Sequence, residues 1–140
     1  MTLLAPVVDA DGAPFWRYAA RGELRVQGCA DCGRPRFPPR PCCPHCRSFA
    51  REWRAMSGRG LIWSYVVAHP PLPPAYAALA PYHVVVVELA DDPRIRLVGN
   101  LAGPSGGDLA PPSPGDVAVG TRVRAIFTEE GMPRWTPEES

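Results

Sequence analysis

The sequence predicts a mainly β protein in which a metal-pinned hairpin precedes a small five-stranded barrel. Two Cys-x-x-Cys pairs, Cys29/Cys32 and Cys43/Cys46, stand ten residues apart. The chain carries 19 prolines and 13 glycines in 140 residues, which disfavours long helices and suits short strands joined by turns. From position 52 onward, five segments read as short strands. The length fits one ordinary domain, or a small domain with a very small one attached.

Residues 1–12 read as a lead, with Asp9, Asp11 and Gly12 as turn or cap residues. Pro14 suits a first helical turn. Phe15 to Arg21 then reads as a short helix that Gly22 can close. Its Phe15, Trp16 and Tyr18 are expected to pack on the rest of the chain, with docking onto a partner as the alternative. Leu24 to Gln27 alternates as a strand should and leads into the first cysteine pair. Arg36-Phe37 is the returning strand, and Pro38, Pro39 and Pro41 stop further ladder pairing.

Glu52 to Met56 is the first strand of the all-β half, and Ser57 to Gly60 is a turn. Leu61 to Ala68 is the second strand, with Leu61, Trp63, Tyr65 and Val67 on one face. A proline-rich loop runs from His69 to Pro81. The third strand, Tyr82 to Leu89, holds four consecutive valines and is apolar on both faces, as for a strand covered on both sides. Asp91-Asp92-Pro93 marks a hairpin into the fourth strand, Arg94 to Leu101. Gly103 to Gly115 reads as a mobile loop, Thr121 to Phe127 is the fifth strand, and the tail from Thr136 is expected to fray. An OB-type barrel is the leading candidate, and strand count leaves an SH3-like barrel open. The expected division is a lead and helix (1–22), a zinc ribbon (23–48) and a barrel (49–140).

The cysteines carry the strongest chemistry. Zinc takes four tetrahedral ligands, and two Cys-x-x-Cys loops facing one another supply four thiolates. Gly33 tolerates the turn that aims backbone N–H groups at sulfur. The ten-residue spacer is shorter than the usual run of about 15–20. Cys42 offers an alternative pairing with Cys46, but Cys43 restores the two-residue spacing. Four thiolates leave no position for water, so one structural zinc held by Cys29, Cys32, Cys43 and Cys46 is expected. His45 reads as a solvent-facing spacer.

A net charge of +1 hides an asymmetry. Between Arg17 and Arg59 there are ten arginines and three acids; beyond them there are five arginines and nine acids. The basic half can attract phosphates or can simply be a solvated surface. No apolar run approaches the roughly 18 residues that span a bilayer, and the first residues lack the pattern of a signal peptide. A cytoplasmic protein without a membrane partner is expected, in whose reducing surroundings paired cysteines favour metal over disulfides.

Gly22 to Gly33, then Arg36-Phe37-Pro38-Pro39-Arg40, then Cys43-Pro44-His45-Cys46 resemble the zinc-ribbon/OB-fold family of acyl-CoA-associated proteins. The likeness continues through Ser57 to Gly60, Pro81-Tyr82 and Val98 to Asn100, over about residues 15–135. The resemblance implies a rubredoxin-like zinc ribbon and a C-terminal OB barrel. It also implies a protein that is not an enzyme by itself but an accessory subunit. Its partners would be thiolase-like or ketosynthase-like enzymes, or hot-dog-fold hydratases, for which it helps hold or channel acyl-CoA. The long 103–115 loop and Cys42 depart from the family pattern.

Under that reading Arg25, Arg36 and Arg40 are candidate contacts to coenzyme A phosphates, because guanidinium groups bind phosphate well. The His69–Pro81 loop would line an acyl passage or an interface. The alternative is a single-stranded nucleic-acid module, since ribbons and OB barrels both occur in such proteins. Trp63 and Tyr65 suit it, but the third strand offers Glu88 and no basic residue. Independent catalysis would fall to His69, His83 and Glu88, without a nucleophile or an open metal site beside them.

Overall fold

A computed structural model describes residues 5–103, 109 and 117–138. The elements in chain order are α1 (Ala13–Ala19), β1 (Arg25–Cys29), β2 (Pro35–Arg36), β3 (Arg51–Ala55), β4 (Arg59–Ala68), α2 (Pro74–Ala77), β5 (Tyr82–Leu89), β6 (Arg96–Asn100), β7 (Arg122–Phe127) and β8 (Pro133–Pro137). They form a three-stranded sheet of order β2-β1-β3 and a five-stranded sheet of order β6-β5-β4-β7-β8. Every ladder is antiparallel.

α1 begins where Asp9 accepts the Gly12 N–H on its carboxylate at 2.6 Å and the Ala13 N–H on its carbonyl at 2.9 Å. It ends as the sequence suggests. Gly22 takes φ +76°, its N–H bonds the Ala19 carbonyl, and the Glu23 N–H bonds the Tyr18 carbonyl. Those two bonds satisfy carbonyls that a helix end otherwise leaves open. Phe15 and Ala19 are buried, and the Phe15 ring meets Trp16 at 5.0 Å and Phe37 at 5.5 Å. The helix therefore packs on its own chain.

Three readings are corrected. The segment read as the first barrel strand pairs instead with β1, residue for residue from Arg25↔Ala55 to Cys29↔Arg51. The fifth barrel strand is β8, where a fraying tail was expected; Trp135 and Thr136 are only 1% and 0% exposed. Within β4 the register shifts between Ile62 and Ser64. Leu61 and Trp63 stay outside, while Tyr65 and Val67 pair with the buried Val85 and His83. A bulge inserts one residue and so exchanges the faces beyond it. The proline-rich loop also contains one helical turn, α2.

The five-stranded sheet has OB connectivity, but among the described residues its edges meet in a single parallel bridge, Leu101↔Trp135, and no ladder closes it. Gly99 makes that seam possible. A Cβ there would lie 2.9 Å from the Trp135 ring. Val85 and Val87 are fully buried, whereas Val84 and Val86 are half-covered. β5 is thus sealed on one face only. One core runs through the molecule, joining Phe15, Leu24 and Val26 to Ile62, Val85, Val87, Leu89, Leu97, Val123 and Trp135. Of the 103–115 loop only Gly103 and Leu109 are described; the rest lies outside the described residues. Among the described residues no helix is long and apolar enough to cross a membrane.

Two outcomes test this packing. Trp135→Ala should cost about 3–5 kcal/mol of stability, as for other large buried aromatics, read from denaturant unfolding. His83 is 3% exposed and burial lowers its pKa. Its neutral form is favoured when folded, so the unfolded chain takes up a proton first. Stability should fall as pH drops below the ordinary histidine value, about 6.5. A His83→Gln variant should show a shallower fall between pH 7 and 5, and equal slopes would contradict the assignment.

Candidate metal centre

The two cysteine loops are built alike. In the first, the Cys32 N–H points at Cys29 Sγ at 3.4 Å and the Gly33 N–H bonds the Cys29 carbonyl at 3.0 Å. In the second, the Cys46 N–H points at Cys43 Sγ at 3.5 Å and the Arg47 N–H bonds the Cys43 carbonyl at 2.9 Å. The Cys29 N–H bonds the Arg34 carbonyl, and the Cys43 N–H bonds the Ser48 carbonyl at the equivalent place. Each loop needs a left-handed residue after its second cysteine. Gly33 supplies it at φ +82° and Arg47 at φ +65°. The first follows from the sequence; the second does not, because arginine seldom adopts that conformation.

All four sulfur positions lie within 4.8 Å of one another. Cys29 Sγ and Cys46 Sγ are 3.5 Å apart, and Cys32 Sγ and Cys43 Sγ 3.7 Å. A tetrahedral ion with metal–sulfur bonds of about 2.3 Å needs edges near ~3.8 Å. The four cysteines are therefore positioned to bind a metal. Cys29 and Cys43 are buried, and Cys32 and Cys46 exposed. Cys42 is outside the cluster, its Sγ facing the Cys43 carbonyl at 3.6 Å.

The Cys32 backbone N–H lowers the Cys29 thiol below its ordinary value, and the Cys46 N–H holds Cys43 down at about 6. At Cys46 the Ser48 backbone N–H acts in the same direction. The neighbouring Cys29, burial, Cys32 and Cys43 outweigh it and push Cys46 up to about 12. Four sulfurs this close need a cation among them to be thiolates together.

Two supports around the cluster were not legible in the spacing. The Arg54 guanidinium on β3 reaches the Gly33 carbonyl, and the Cys29 carbonyl at 3.4 Å, by crossing over Gly28. Asp31 accepts the Ser48 hydroxyl, and Ser48 Oγ accepts the Ala50 N–H at 3.0 Å, which ties one loop to the other.

The three arginines expected at a phosphate fall into different settings. Arg36 is 6% exposed; its Nε donates to Gln27 Oε1 at 2.7 Å and its Nη2 to the Arg40 carbonyl at 3.0 Å. Gln27, fully buried, also accepts the Arg40 N–H at 2.7 Å. Arg36 thus braces the Pro38–Arg40 arm. Arg25 pairs with Glu23 at 2.9 Å and lies over the Tyr18 ring at 4.5 Å. The Arg40 side chain is exposed.

Elsewhere, His83 turns inward beside Tyr65, with ring centroids 5.6 Å apart, while His69 is exposed. Among the described residues neither histidine is hydrogen-bonded or ion-paired to a carboxylate. The aromatic–basic contact missing from the third strand comes from β6, whose Arg96 stacks over Trp63 at 3.9 Å.

Residues 16–52 match the family model described as the ChsH2 rubredoxin-like zinc ribbon domain, and residues 53–128 that of the ChsH2 C-terminal OB-fold domain. The chain is 43% identical over 98 residues to a probable enoyl-CoA hydratase alpha subunit of Thermomonospora curvata, a match covering 70% of this chain and 30% of that protein. It is 33% identical over 140 residues to the 3-oxo-4,17-pregnadiene-20-carboxyl-CoA hydratase alpha subunit of Mycobacterium tuberculosis, covering 98% of this chain and 41% of that protein. The chain therefore spans well under half the length of these relatives. Among solved structures, a chain of the Ltp2-ChsH2(DUF35) aldolase matches with a TM-score of 0.79 and 34% identity, covering 95% of this chain and 98% of that one.

Cys29→Ser should lose bound metal and unfold the ribbon, because metal binding and folding are one equilibrium there. Cys42→Ser should keep the metal at one per chain. Elemental analysis and thermal unfolding with and without chelator read both outcomes. Arg36→Ala should cost about 1–3 kcal/mol by removing the bonds from its guanidinium to the buried Gln27 side chain and to the Arg40 carbonyl.

Proposed function

Because this chain belongs to the ChsH2 family of paired zinc-ribbon and OB-fold domains, we propose that it is a non-catalytic accessory subunit of an acyl-CoA-processing enzyme. The observation that carries this reading is the match, over almost the whole of both chains, to a ChsH2(DUF35) chain of a solved aldolase. The two hydratase relatives, named for acyl-CoA substrates, point the same way. The partner is a thiolase-like or ketosynthase-like enzyme, or a hot-dog-fold hydratase. The subunit binds acyl-CoA together with it and keeps the thioester between partner sites.

The metal is zinc, one per chain, held by Cys29, Cys32, Cys43 and Cys46. All-thiolate donor sets suit zinc, and a full tetrahedron leaves no site for a reactive water. Its role is to fix the ribbon against α1 and the barrel, in the reducing cytoplasm. Arg40 and Arg25 are the arginines available to coenzyme A phosphates, since Arg36 is occupied inside the ribbon.

Affinity purification of the tagged chain from its host should bring down an acyl-CoA enzyme in fixed proportion. Recovery of the chain alone would sink the reading. In the recovered complex, Arg40→Ala combined with Arg25→Ala should weaken acyl-CoA binding roughly tenfold, with the exposed Arg40→Ala alone leaving the melting temperature unchanged. An unchanged affinity would remove the phosphate role from these arginines.

A further inference from the structure

Between α1, the ribbon and the seam of the barrel lies a groove of about 420 Å³. Six aromatic side chains from separate parts of the chain line it: Phe15 and Trp16 of α1, Phe37 beyond β2, Tyr76 of α2, Tyr82 of β5 and Trp135 of β8. Its size falls within the range of sites that take one small molecule. Close-packed interiors leave few voids larger than a water. This opening sits where, among the described residues, the chain just past β6 meets β8 in one bridge instead of a ladder.

The polar content of the wall is small and specific. No charged side chain lines the groove among the described residues. Tyr82 is 6% exposed as a residue, but its hydroxyl is not among the buried unpartnered atoms and makes no hydrogen bond among the described residues, so it is open to solvent. A ligand acceptor can therefore take the place of the water that this hydroxyl meets. Asn100, which faces Val84 across the β5–β6 ladder, adds a carboxamide to the same wall.

We propose that this groove binds a neutral, ring-bearing apolar group that carries one carbonyl or hydroxyl, with the Tyr82 hydroxyl as its hydrogen-bond donor. Aromatic walls favour rings, which pack against them edge-on or offset. The absence of any cation in the wall excludes a carboxylate, whose burial would go uncompensated. The open acceptor requirement comes from Tyr82. The natural bearer would be the acyl portion of an acyl-CoA, with the nucleotide outside; for that identification the inference rests on the proposed function.

The test uses the full, metal-loaded chain and the neutral fluorophore N-phenylnaphthylamine. The probe should saturate one site per chain. Acetylnaphthalene should displace it roughly five- to tenfold better than ethylnaphthalene, which is similar in size but lacks the carbonyl. Tyr82→Phe should erase that preference while keeping probe binding. Val98→Arg, at a 70% exposed position on the groove wall, should weaken the probe about tenfold with an unchanged melting temperature. Unsaturable probe binding, a carbonyl preference that survives Tyr82→Phe, or indifference to Val98→Arg would each overturn the proposal. Naphthoyl-CoA separates the two readings. If the ketone displaces the probe and naphthoyl-CoA does not, the groove stands and the acyl-CoA bearer falls.

Discussion

Four sulfurs held within 4.8 Å of one another impose the constraint on which the ribbon depends. Thiols so close resist ionising together: backbone N–H groups hold Cys43 down, while the neighbouring sulfurs and burial push Cys46 up. A bound cation resolves that conflict and fixes both loops at once. Little else could. β2 is two residues long, and the arm after it is broken by prolines. The strand that gains is β1. Pinned at Cys29, it carries Val26 into the common core and Gln27 into the polar brace.

That brace shows how charge is used in the basic half. Composition suggests a surface of arginines awaiting an anion. Two of the ten have structural work instead. Arg36 is bonded to Gln27 and the Arg40 carbonyl, and Arg54 caps the first cysteine loop through backbone carbonyls. Arginine suits both places because its fixed fork can serve several carbonyls at once. Neither role leaves a trace in spacing, since donors to carbonyls are set by where strands cross.

The barrel's strands were legible where alternation and punctuation were strong. β5 has the boundaries its valine run suggested, and β4 and β7 differ at their starts by one or two residues. β8 was missed because Pro133-Arg134-Trp135-Thr136-Pro137 lacks alternation and begins and ends in proline. An edge strand tolerates those prolines. β3 was read correctly as a strand but placed in the wrong sheet, because propensity does not choose a pairing partner.

The sequence alone determined the class of the fold, the four cysteines and the glycine-closed helix. These depend on local chemistry: ligand spacing, turn residues and side-chain period. Only the tertiary structure decided that α1, ribbon and barrel share one core, that Arg47 repeats the turn of Gly33, and that the barrel leaves an aromatic groove at its seam. Phe15, Phe37, Tyr82 and Trp135 are far apart in the chain. Their meeting is fixed by long-range packing, which no window of sequence contains.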